Sequence, residues 1–114
     1  MTPPDLQRLI HAARDARKHA RAPFSKFKVG AALETTDGRV FTGVNVESAS
    51  YGLTCCAERT ALFTALTAGV KDYAFRRIAV VTAATALTPP CGACRQVLWD
   101  YCRDIEVVIA GTGG

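Results

Sequence analysis

The spacing of apolar residues changes period several times along the chain, and each change marks an element. From residue 3 to about residue 20, Leu6, Leu9, Ile10, Ala13 and Ala16 recur at helical intervals. This predicts an amphipathic helix with Thr2 as its cap and two prolines in its first turn. A-P-F-S interrupts it. F-K-V-G-A-A-L-E and R-V-F-T-G-V-N-V-E then flank T-T-D-G, and Asp-Gly between β-prone runs predicts a hairpin. Alternation in the second strand sends Val40, Thr42, Val44 and Val46 to one face, and Phe41, Asn45 and Glu47 to the other.

C-A-E-R-T-A-L-F-T-A-L-T-A-G predicts a helix that starts near Cys56 and stops at Gly69. R-R-I-A-V-V-T-A is short and nearly all apolar, as a buried strand would be. After A-L-T-P-P, residues 91 to 102 open a further helix, and I-E-V-V-I-A is a last strand. The order helix, strand, strand, helix, strand, helix, strand predicts an α/β fold in three layers, α/β/α, around a mixed central sheet.

A length of 114 residues suits a single domain spanning 1–114. With 49% apolar and 21% charged residues and no long apolar run, the composition excludes a helical membrane protein. The first residues lack a secretory layout, so the expected location is cytoplasmic. The net charge of +4 is modest. Arg8, Arg14, Arg17, Lys18 and Arg21 cluster near the start, and they read as the wet face of the first helix. No aromatic residue interleaves with them to stack a base, so no nucleic-acid partner is expected.

Five cysteines cannot all pair within one chain. In a reducing compartment, closely spaced thiols are metal ligands or catalytic groups more often than bridges. Cys91 and Cys94 form a C-x-x-C at a helix start, where the backbone N–H groups and the helix dipole stabilise thiolates. Cys56 opens the earlier helix. Three thiolates on zinc leave one tetrahedral position open, the mark of a catalytic site. Cys102 lies more than two turns beyond Cys94, too far to join them, and is assigned to the core. Cys55, adjacent to Cys56, reads as a partly buried thiol without a chemical duty.

Glu58 follows Cys56 by two residues. A carboxylate there can take a proton from an activated water and pass it to a leaving group. The competing role is an N3 glutamate closing a capping box with Cys55 or Thr54. Three thiolates leave a zinc centre with a net negative charge, which weakens its acidifying effect. Arg59 and Arg95 each follow a site element, and at least one is expected to donate to a ligand sulfur.

C-A-E-R-T-A and P-C-G-A-C-R-Q, with N-V-E-S-A-S-Y-G before them and A-P-F-S-K-F-K-V-G-A-A-L at the first strand, closely resemble the small homotetrameric cytidine deaminases of pyrimidine salvage. The likeness covers most of the chain, with the four motifs in order. It implies one zinc ion per subunit, held by Cys56, Cys91 and Cys94. It also implies that Glu58 shuttles protons while the pyrimidine is attacked at C4. Cytidine and/or 2′-deoxycytidine would become uridine or deoxyuridine plus ammonia. By the same resemblance Asn45 and Glu47 bind the ribose, Phe27 packs on the base, and the backbone of Ala57 reads the pyrimidine edge. Tyr51 falls in the substrate loop, and the sites lie near subunit interfaces of a homotetramer.

Two departures stand out. The family continues past the last strand with a Leu-Leu-Pro-like stretch and an aromatic residue that reaches a neighbouring site, whereas this chain reads V-V-I-A-G-T-G-G. The fold is therefore expected to lack the usual C-terminal segment, and tolerance of N4-substituted cytidines is the matching expectation. Pro89 stands where a serine often precedes the proline. Rival readings on the same zinc core are a blasticidin S-type deaminase and a nucleic-acid-editing deaminase. N-V-E at 45–47 argues for a nucleoside. A non-enzymatic zinc module is the remaining alternative.

Overall fold

The structure, a computed structural model, describes residues 4–21, 23, 28–47, 55–82, 92–103 and 105–111. The elements are α1 (Pro4–Arg17), β1 (Val29–Thr35), β2 (Val40–Val44), α2 (Ala57–Thr67), β3 (Phe75–Thr82), α3 (Gly92–Cys102) and β4 (Glu106–Gly111). Order and type match the periodicity. Thr2 lies outside the described residues.

The strands form one sheet in the order β2-β1-β3-β4. β1 is antiparallel to both β2 and β3, and β3 is parallel to β4, so the sheet is mixed. Residues 36–38 form the β1–β2 turn, inside a Thr35–Arg39 backbone pair. Thr35 N–H bonds the Arg39 carbonyl at 2.9 Å, and Gly38 takes the left-handed conformation (φ 89°) that closes such a turn.

Residues along β1 alternate between two cores. Ala32 joins Leu9, Ala13, Ala79 and Val81 beneath α1. Ala31 and Leu33 join Ala61, Leu62, Ile78 and Leu98 beneath α2 and α3. α1 thus covers one face and the other two helices cover the opposite face, giving the three layers. Leu9, Leu33, Leu62 and Ile78 are fully buried, each contributing about 2–3 kcal/mol of transfer free energy.

Two glycines set how closely the helices approach. A Cβ on Gly30 would come within 2.7 Å of the Arg17 nitrogen in α1, and one on Gly43 within 2.6 Å of the Ala57 carbonyl in α2. Only hydrogen fits in either place. α2 ends at Gly69 as its sequence predicts. Gly69 N–H bonds the Leu66 carbonyl at 3.0 Å and Val70 N–H bonds that of Ala65 at 3.1 Å. Those two bonds make a Schellman motif, with Gly69 left-handed (φ 93°) and Val70 buried after it.

Candidate active site

β2 and β3 run in the same direction, since both oppose β1, and β4 follows β3. Their carboxyl ends therefore meet the start of β1 at one edge, where Gly30 pairs with Val44, Val29 with Thr82, and Thr82 with Gly111. α2 follows β2 and α3 follows β3, so both helices begin from this edge. Open α/β sheets place their sites at such an edge.

Residues 45–47 continue β2 beyond its last regular pairing and are clamped from both sides. Arg21 N–H bonds the Asn45 carbonyl at 3.0 Å, and Glu47 N–H bonds the Arg21 carbonyl at 2.8 Å. On the other flank Val46 and Cys55 exchange two backbone bonds of 2.9 Å each. Val46 is exposed, whereas Asn45 is buried and Glu47 half-buried, so the alternation expected from the sequence persists. Asn45 Oδ1 accepts the Val29 N–H at 2.9 Å. That bond holds its side chain against the start of β1.

Cys56 is the N-cap of α2, extended (φ −76°, ψ 154°), and its sulfur makes no capping bond. Arg59 Nη2 instead donates to that sulfur at 3.7 Å, the kind of contact expected for one of the two arginines. The Cys56 carbonyl accepts from both the Thr60 N–H and its hydroxyl, at 3.1 and 3.0 Å. Ala57 is wholly buried and Glu58 is 5% exposed. Because Cys56 is the cap, Glu58 occupies the second helical position. The N3 capping-box role with Cys55 or Thr54 is thereby replaced, and the carboxylate lies in the first turn, where the helix dipole favours negative charge.

Cys94 and Arg95 lie in the first turn of α3. Their side chains, together with Phe27, Tyr51 and Cys91, fall outside the described residues. Among the described residues no three His, Cys, Asp or Glu side chains converge. Cys102, the last residue of α3, is buried in the core, and burial pushes its thiol up to about 12. That is an inert packing thiol, as expected. Cys55 does more than its side chain suggested, since its backbone is the rung that ties the Asn45–Glu47 segment to Cys56. A pairing between residues nine apart across a loop leaves no periodic signal in sequence.

The donor set suits zinc. A sulfur at a helix N-terminus, not used as a cap and receiving a guanidinium N–H, is in a setting suited to a metal-ligating cysteine. A buried carboxylate, Glu58, follows two residues later in the same first turn.

Comparison with known proteins agrees. The family model for the cytidine and deoxycytidylate deaminase zinc-binding region matches residues 3–112. A cytidine deaminase of Halalkalibacterium halodurans is 50% identical over 111 residues, covering 96% of this chain and 83% of its own. One of Sporosarcina psychrophila is 46% identical over 99 residues, covering 87% and 71%. The crystal structure of cytidine deaminase from Burkholderia pseudomallei superposes with a TM-score of 0.92 at 54% identity, covering all of this chain and 88% of the other. With sheet order, helix starts and sequence in accord over nearly the whole length, the chain belongs to the cytidine and deoxycytidylate deaminase zinc-binding family.

Proposed function

We propose that the protein is a zinc-dependent enzyme that hydrolytically deaminates cytidine and/or 2′-deoxycytidine to uridine or deoxyuridine plus ammonia. The observation that carries this reading is the buried Glu58, two residues beyond a helix-capping cysteine whose sulfur receives an arginine N–H. Cys56, Cys91 and Cys94 are assigned as ligands of one zinc ion per subunit. When bound, zinc supplies an activated water as nucleophile near neutral pH.

Glu58 takes the proton from the attacking water and transfers it to pyrimidine N3. It later delivers a proton to the departing ammonia, so that water and cytidine become uridine and ammonia in balance. Burial of the carboxylate excludes bulk water from this transfer. Arg59 offsets thiolate charge, and Arg95 is assigned the same part. Asn45 and Glu47 are assigned to the ribose, and the Asn45–Val29 bond, which fixes the Asn45 side chain at the sheet edge, supports that assignment. Phe27 packs on the base, the Ala57 backbone reads its edge, and Tyr51 belongs to the substrate loop.

A homotetramer with sites near its interfaces completes the proposal. Thr60 to Val70 carry no charge, yet Phe63 is 44% exposed. The outer side of α2 borders an open groove of about 630 Å³ lined by Val46, Cys55, Phe63, Thr64 and Thr67. An uncharged outer helix face with a large aromatic exposed beside an open groove is a face suited to being covered, and this groove adjoins the Cys55–Val46 rung. Light scattering on the parent and on Phe63→Glu tests this, with dissociation of the variant expected. Among the described residues, Cys55, Cys56 and Cys102 form no disulfide, which suits the cytoplasm. No helix among the described residues is long and apolar enough to cross a membrane.

The test of function is ammonia release from cytidine, cytosine and blasticidin S by zinc-loaded and zinc-stripped protein. Turnover of cytidine above the other two, lost on stripping and restored by zinc, is expected. Preference for blasticidin S, or turnover indifferent to zinc, would overturn the reading.

A further inference from the structure

Among the described residues five polar or charged side chains are buried: Glu34, Thr35, Asn45, Glu58 and Thr82. Glu34 faces Arg77 at 3.1 Å. The Thr35 hydroxyl binds Asp37 and accepts the Arg39 N–H at 3.0 Å. Asn45 and Glu58 already have parts in the proposed reaction. Thr82, 2% exposed, has none.

Its direction is fixed by the sheet. Thr82 pairs with Val29 and shares its face of β3 with Val80 and Ile78. Val29 and Ile78 both pack into the core beneath α2 and α3. The Thr82 side chain therefore lies on that same face, on the last residue of β3, at the edge from which both helices start. On this face Asn45, Val29 and Thr82 lie side by side at the edge from which α2, with Cys56 and Glu58 at its start, and α3 set out.

We propose that Thr82 is a positioning residue for the zinc-ligating helix starts, its buried hydroxyl donating into the layer that holds the ligand sulfurs and Glu58. This inference rests on the zinc reading above. Thr82 is engaged in the fold rather than idle, and a hydroxyl is buried so fully only when it is used. Thiolates and an ionised carboxylate only accept, so a donor at this edge supplies what they lack. Outer partners of this kind commonly change metal affinity or activity by about 10–100-fold when removed. Valine would fill the same volume without the hydroxyl, whereas serine would keep it.

The experiment compares the parent, Thr82→Val and Thr82→Ser for zinc transfer to a chromogenic chelator and for melting with and without zinc. It also records kcat and KM on cytidine. Thr82→Val is expected to transfer zinc about 10–100-fold faster, to melt lower by more when zinc-loaded than when zinc-free, and to lose kcat at unchanged KM. Thr82→Ser is expected to match the parent. Should the valine variant fail to fold, Thr82→Ala carries the same expectations. The proposal is overturned if the variant lacking the hydroxyl releases zinc at the parent rate, if both its forms melt lower by equal amounts, or if serine behaves like valine. Absence of zinc uptake by the parent itself would overturn the functional reading first, and is seen before any variant is made.

Discussion

Glu34 and Glu58 are both almost wholly buried, at 4% and 5% exposure, yet they stand at opposite ends of the sheet and on opposite faces. Glu34, near the end of β1, lies across the strands from Arg77 at 3.1 Å, with Glu106 a further 3.9 Å from the same guanidinium nitrogen. The Glu34–Arg77 contact is close but not aligned as a hydrogen bond, so charge attraction dominates it. Glu58 sits at a helix N-terminus beside a sulfur that Arg59 holds. A buried carboxylate matched across strands serves stability. One set in a helix start among candidate metal ligands is the one proposed to serve chemistry. Burial alone does not tell the two apart; the neighbours do.

This contrast predicts a graded series. Replacing Glu58 by Gln removes the proton carrier and should lower kcat by about 10²–10⁴-fold while leaving the fold intact, as steady-state ammonia assays and melting curves will show. Glu34→Gln should do the reverse. It leaves a largely buried arginine short of a partner and costs about 3 kcal/mol, the low end for a broken buried pair because Glu106 remains nearby. Denaturant titration measures that loss, and activity per folded molecule should stay near the parent's.

Arg59→Gln removes a donor from the Cys56 sulfur and should weaken zinc binding by about 10-fold or more in chelator competition. Asn45→Asp keeps an acceptor for the Val29 N–H but exchanges the donor end for a second acceptor. It should raise KM for cytidine by about tenfold, as expected for one lost hydrogen bond to substrate, with little change for cytosine.

Asp37→Asn should be the smallest effect. The Thr35 hydroxyl, and then Arg39, hold the Asp37 carboxyl below its ordinary value. A depressed folded-state pKa contributes stability above the unfolded value that is lost as pH falls through the lowered one. The difference in melting between parent and variant should therefore be present at pH 7 and shrink on acidification.

Much of the fold was legible because local pattern and tertiary demand agree. The helical spacing of Leu9 and Ala13, the alternation around Asn45 and the stop at Gly69 all reappear in the structure. Gly30 and Gly43 were not legible as sites of close helix approach, since that depends on which helix passes over which strand. The Glu34–Arg77 pair needed the strand register, and so did the edge position of Thr82. In the site, motif spacing pointed to Cys56 and Glu58. The backbone work of Cys55 and Val29 was hidden, because main-chain hydrogen bonds carry no side-chain signature.

The measurement that tests the account most directly is ammonia release from cytidine by the parent, Glu58→Gln and Glu34→Gln, each folded and matched for bound zinc. The account predicts release by the parent and by Glu34→Gln at similar rates, with Glu58→Gln about a hundredfold slower or worse. Release by Glu58→Gln at more than a tenth of the parent rate, or an equal loss in both variants, would contradict it.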